Sequence, residues 1–189
     1  MNLAAYLSAC LSVLGADDAW QKALDYSRQG FKRSFLAILF SVPCFYICAM
    51  AIQSERVRQT GIEASIPNTA FFLIFTLYAL VFVVMAYFTV NFFDRHESFR
   101  PWVILRHWAI FFTSFLAAII FGFHLLGYLP FSWASFLVLI LYLMTLAIDI
   151  RLIQKVVGFD WGVAVLTACL MTAANLMVLL AGVTYYISQ

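Results

Sequence analysis

Charge is what this chain lacks. Only 11% of its 189 residues are Asp, Glu, Lys or Arg, against about 25% in soluble domains. Five stretches contain none at all: Ser34–Ile52, Thr69–Phe93, His107–Leu126, Phe131–Ile148 and Trp161–Ile187. A folded chain with so few ions cannot cover itself in polar surface, which excludes an ordinary water-soluble globule. A separate soluble domain is not expected either. The longest mostly polar stretches, about 16–33 and 53–68, are too short for one.

Chemistry-bearing motifs are also missing. There is no phosphate-binding glycine loop, no His-Glu-x-x-His, no Gly-x-Ser-x-Gly and no Cys/His set with metal spacing. No carboxylate lies inside the five stretches to couple transport to an ion. No enzyme activity, cofactor, metal or nucleic-acid partner is therefore expected. The four cysteines make no disulfide framework. Cys44 and Cys48 share one face of a predicted span, a geometry unsuited to bridging, so reduced packing cysteines are expected. Leu7-Ser8-Ala9-Cys10 matches a lipoprotein cleavage box, but no Lys or Arg precedes it and the apolar run before it is very short, so cleavage is not expected.

What is present is apolar and aromatic: 65% and 18% of residues. Ser34–Ile52, at 1.5 Å per residue, spans about 28 Å, close to the hydrocarbon thickness of a bilayer. Pro43 in its middle predicts a kink. Thr69–Phe93 is long enough to tilt. From His107 to Ile148 no formal charge occurs. As one helix this stretch would be about 63 Å long, twice the membrane, so it must fold back. Gly127-Tyr128-Leu129-Pro130 is the obvious turn. The sequence predicts an all-α polytopic membrane bundle with five spans, at about 34–52, 69–93, 105–126, 131–148 and 161–187. A segment over 1–33 precedes them. In it Leu3, Tyr6, Leu7, Leu11 and Leu14, then Trp20, Leu24, Ser27 and Phe31, recur at helical spacing, with Asp17 or Asp18 placed to cap the second helix. An amphipathic helix in the membrane interface and a helix packed on the protein's own inner face are both compatible with this pattern.

Five spans place the termini on opposite sides. With the first residue cytoplasmic, nine cations lie inside: Lys22, Arg28, Lys32, Arg33, Arg95, Arg100, Arg106, Arg151 and Lys155. Two, Arg56 and Arg58, lie outside. That is a strong positive-inside bias, and a four-span reading would weaken it.

Few polar groups sit at membrane depth. Arg106 and His107, with Trp102 and Trp108 nearby, read as an interfacial anchor with Arg106 snorkelling to headgroups. His124, near the outer end of its span, has no carboxylate in the spans to pair with. Asp149 and Arg151 point to different helix faces. Arg151 and Lys155, four apart, share one; with Gln154 they form a basic turn suited to anionic lipid or a partner. Asn175 is the strongly polar residue nearest mid-membrane and should face another helix. Ala164, Ala168 and Thr172 repeat every four residues, a small-residue stripe for close helix packing, with a ligand site at Asn175 as the alternative.

The segment Tyr142 through Ala168 is a span, then an aliphatic basic turn ending near a glycine, then an alanine-rich span. Together with five spans, a tight third-to-fourth hairpin and Ala19-Trp20 ahead of the first span, it resembles the Yip-one domain family in its short bacterial form. Eukaryotic members of that family bind Ypt/Rab GTPases. Their Asp-Leu-Tyr-Gly-Pro motif is missing here, and Asp94–Pro101 lacks their Gly-Tyr motif, so GTPase binding does not carry over. The resemblance implies a non-catalytic protein of a bacterial inner membrane that organises the bilayer or assembles with itself or another membrane protein. The alternatives are a small oligomeric permease or channel built around Asn175 and His124, and an accessory subunit of a larger membrane complex.

Overall fold

The computed structural model describes residues 3–15, 20–61 and 67–187. They form α1 (Leu3–Leu14), α2 (Trp20–Ala23), α3 (Arg28–Thr60), α4 (Asn68–Phe92), a 3-10 turn (His96–Ser98), α5 (Phe99–Leu125), α6 (Phe131–Leu152), a π-helical turn (Ile153–Val157) and α7 (Trp161–Ile187). There is no strand among the described residues. Five helices, α3 to α7, are long and apolar enough to cross a membrane. The chain is an integral membrane protein with a helix-bundle fold.

The helices begin and end for local reasons. The Ser27 side chain accepts from the backbone N–H groups of Gln29 and Gly30 and so starts α3. Asp25 Oδ1 accepts from the Ser27 N–H at 2.9 Å, which stiffens the turn before it. Hydrogen bonds from Ser27 hold the Asp25 carboxyl below the usual carboxylate range. These contacts break the continuous helix expected through Trp20, Leu24, Ser27 and Phe31: α2 is one turn, and α3 starts afresh at Arg28. The proposed caps Asp17 and Asp18 lie outside the described residues. At 33 residues α3 is about 50 Å long, so its charged ends stand beyond the hydrocarbon. It continues as helix through Pro43. The expected hairpin forms: Gly127, at φ 81°, supplies the left-handed residue that turns the chain from α5 into α6.

Helix α5 is the hub. It packs chiefly on α3 and α6, and α4 closes on α7. The α3–α5 register runs in parallel: Ser34 meets His107, and further along Ala37 shares a cluster with Ile104 and Trp108, Ile38 with Ile110, and Ala51 with Phe121. That is what two spans separated by one returning span require. The α3 face doing this is small throughout, with Ser34, Ala37, Ser41, Cys44, Cys48 and Ala51 at alternating three- and four-residue steps. Small side chains let two backbones approach, and the 3.5-residue period keeps the seam on one face. Hydroxyls within the seam are spent on their own helix: Ser41 donates to the Ala37 carbonyl at 2.8 Å. All four cysteines are free thiols.

The largest core cluster sits at the end where the chain begins, among α4, α5, α6 and α7. Helix α1 closes it by inserting Ala9 and Val13, and Trp20 adds an indole. Of the two arrangements open for this segment, α1 takes the packed one. Tyr6 stacks on Trp108 with centroids 4.0 Å apart, and the Cys10 thiol donates to the Leu105 carbonyl at 3.7 Å. Burial pushes the Cys10 thiol up to about 12. The opposite face, Leu3, Leu7 and Leu11, is exposed.

Candidate functional site

Nine consecutive residues of α5, Trp102 to Ile110, are buried. A helix buried on all sides has neighbours all round, and here α1, α3, α4, α6 and the π-helical turn supply them. Inside this sleeve lies an ion pair. Arg106 Nε stands 2.6 Å from Asp149 Oδ1, and the two residues are only 5% and 4% exposed. The Arg106 guanidinium carbon also lies 5.5 Å from the centre of the Phe82 ring, close enough for cation–π attraction. Trp102 meets that same ring edge-on.

This overturns the snorkelling anchor. Arg106 does not reach the headgroups, and Trp102 and Trp108 are completely enclosed. The physical reason is the hairpin: it brings α6 back alongside α5, so a carboxylate just past the fourth apolar run becomes the neighbour of an arginine near the start of the third. An isolated guanidinium there would carry a desolvation cost of several kcal/mol, and Asp149 offsets it.

Beside the pair, Ser34 Oγ donates to the Phe31 carbonyl at 2.8 Å and lies 3.0 Å from His107 Nδ1. A hydroxyl has one proton. With it committed to Phe31, Nδ1 is the donor to Ser34 and Nε2 carries a lone pair. Nε2 is buried and has no hydrogen-bond partner among the described residues. The edge of Phe35 covers the ring, with centroids 4.8 Å apart.

On α7, Ala164, Ala168 and Asn175 lie on the buried face, while Thr172 is half-buried at its margin. The seam passes through Met171 instead. Steps of exactly four drift about 40° around a helix each time, whereas alternating four and three stay in line. Further along, Gly182 brings α7 so close to α4 that a Cβ there would stand 2.6 Å from Ile74 Cγ1. Ala164 and Ala168 thus lie inside the bundle, and Thr172 at its edge. Asn175 is 5% exposed, and its Oδ1 has no hydrogen-bond partner among the described residues.

The basic turn is less regular than its spacing predicts. Arg151 lies exposed in the last turn of α6, but Gln154 and Lys155, half-buried, fall in the π-helical turn, whose Ile153, Val156 and Val157 are buried. His124, at the far end, places Nδ1 3.0 Å from the Leu129 carbonyl across the hairpin turn. Among the described residues no three His, Cys, Asp or Glu side chains could hold a metal together.

No family model, curated protein or solved structure matches the chain.

Proposed function

We propose that this is a non-catalytic membrane protein that organises the bilayer from one side and assembles there with itself or another membrane protein. The observation that carries this reading is α1. It has no charge, docks through Tyr6, Ala9, Cys10 and Val13, and turns Leu3, Leu7 and Leu11 outward. Its contacts with Leu105 and Trp108 put it at the depth where the third span begins. A helix present in one leaflet only widens the molecule there, and exposed leucines at that depth favour acyl chains over water. The Arg106–Asp149 pair supports the same reading, because two paired ions that are both buried leave no charge open to a cargo. The charge asymmetry favours the inner leaflet for α1, and the resemblance of the sequence to the Yip-one domain family implies an organising role.

The test is curvature sorting. The labelled chain, reconstituted into giant vesicles, should enrich on membrane tethers pulled from them. A variant with Leu3, Leu7 and Leu11 changed to Gln should lose that enrichment while keeping its helix content. Crosslinking in native membranes should capture a complex. Equal density on flat and curved membrane, together with a strictly solitary monomer, sinks the proposal.

A second reading, a small permease, is favoured by one observation: the buried Asn175 oxygen, which has no hydrogen-bond partner among the described residues. It requires solute flux in liposomes that Asn175→Leu abolishes with the fold intact.

A further inference from the structure

At the end opposite α1, the last turns of α3 and the α5–α6 hairpin border an open cavity of about 660 Å³. Glu55, Arg58 and Gln59 line it from α3; His124, Phe131 and Ser132 line it from the hairpin. Glu55 occupies the next position of the small α3 seam, four residues past Ala51. A carboxylate thus stands where every earlier position is Ser, Ala or Cys, and it is 5% exposed.

The partners of Glu55 come from its own helix. Arg58 Nε donates to Oε2 at 2.7 Å, Arg58 Nη2 to Oε1 at 2.7 Å, and Gln59 Nε2 to Oε1 at 2.8 Å. Oε1 therefore takes two donors and Oε2 one, and a carboxylate oxygen has room for two. Arg58 reaches in from outside: its side chain is 74% exposed, and its remaining N–H groups extend past the pair. His124 supplies the third element. A carbonyl can only accept, so the contact with Leu129 puts a proton on Nδ1; in the tautomer that carries this proton alone, Nε2 is an acceptor. The ring lies within electrostatic range of Glu55. Phe131, edge-on to His124 with centroids 5.2 Å apart, lends an apolar wall that runs into the membrane.

The cavity thus presents a carboxylate and an imidazole lone pair for a cationic N–H donor, an outward guanidinium for an anion, and an apolar wall at the bilayer boundary. We propose that it binds the headgroup of a phospholipid that carries a primary ammonium and a phosphate diester. The ammonium donates to the Glu55 carboxylate and the imidazole, Arg58 takes the phosphate, and the acyl chains leave along Phe131 into the bilayer. A trimethylated amine has no N–H to donate, and a glycerol headgroup has no cation. The site therefore discriminates among lipids that share one phosphate.

The test uses the full chain in mild detergent, titrated with phosphatidylethanolamine, phosphatidylcholine or phosphatidylglycerol of matched chains and read by native mass spectrometry. Phosphatidylethanolamine should be retained roughly tenfold better than the other two, the scale of one charge-assisted hydrogen bond. Glu55→Gln should erase that preference, and Arg58→Gln should lower retention of all three. Soluble glycerophosphoethanolamine separates the sources. If it competes, recognition resides in the headgroup alone; if it does not, with the preference intact, the membrane-held lipid is the ligand. Equal retention of the three lipids overturns the proposal. If Glu55→Gln does not fold, the exposed Arg58→Gln and His124→Phe decide: folded variants of which the first retains all three lipids undiminished and the second keeps the full preference overturn it as well.

Discussion

The two ends of α5 are built differently from similar material. Its first turns, Trp102 to Ile110, are enclosed by neighbours on every side, whereas Phe115, Leu116, Ile119 and Phe123 further along face outward. Both halves are apolar and aromatic. What separates them is the company they keep: α1, Trp20 and the π-helical turn all crowd one end, and the other opens into a cavity under the hairpin. In a bilayer, hydrophobicity does not tell a side chain to be buried, because lipid is as good a solvent as a neighbouring helix. Ions do make that distinction. The enclosed end holds an ion pair that lipid could not accommodate, and the open end keeps its ions at the water boundary.

The sharpest way to break this contrast is to remove half of the pair. Arg106→Leu or Asp149→Leu alone leaves one buried ion uncompensated and should cost about 3–5 kcal/mol of stability. The double change should cost far less than the two single losses combined. Reversible unfolding in mixed micelles, closed as a double-mutant cycle, measures this. Additive losses would mean that the two residues are not coupled. Trp108→Ala comes next, at about 3 kcal/mol, because it leaves an unfilled cavity beneath the stacked Tyr6. Phe115→Ala on the outward-facing half should cost less than about 1 kcal/mol, since acyl chains fill the space. Equal losses at the two positions would erase the distinction between the ends.

The open end has its own tight spot. Gly182→Ala pushes a methyl group against Ile74 and should cost about 1–3 kcal/mol, the usual penalty of overpacking. Adding Ile74→Ala should recover most of that loss, and failure to recover it would mean the helices are not held together there. Ser27→Ala removes the cap of α3 at the enclosed end and should cost about 1 kcal/mol, seen as fraying of the first turn in hydrogen exchange.

Much of this architecture was legible in the sequence. Uncharged runs marked the five long helices, and Gly127 to Pro130 marked the hairpin, because lipid requires both an uninterrupted backbone ladder and an early return. The ion pair was legible too, but through geometry and not composition. Arg106 and Asp149 are equidistant from the centre of the turn between Gly127 and Tyr128, so an antiparallel hairpin sets them opposite each other. Reading Arg106 by its nearness to a boundary missed this. The α3 seam was hidden for a different reason. Small residues attract no notice within an apolar run, and only their three-and-four spacing distinguishes them from filler. The docking of α1 left no signal of its own: Leu3, Leu7 and Leu11 form the more hydrophobic stripe, yet the face that packs is Tyr6, Ala9, Cys10 and Val13. Lipid outside and protein inside are both apolar, so hydrophobicity cannot rank the two faces, and shape decides.

That last point has a test with no expected effect on stability. Docking buries the Cys10 thiol and raises it to about 12. A raised thiol stays protonated, and only the thiolate attacks an alkylating reagent. At pH 8.5, where a free cysteine is about half ionised, Cys10 should react with a membrane-permeant maleimide at least roughly a hundredfold more slowly than an unfolded control. The measurement needs Cys44, Cys48 and Cys169 replaced by Ala, so that one thiol reports. Tyr6→Ala removes the stack on Trp108 that holds α1 in place. It should raise the labelling rate toward that of the free thiol while the five long helices remain folded. Fast labelling of the chain with Tyr6 intact would show α1 away from α5, with the enclosed end of the molecule no more sheltered than the open one.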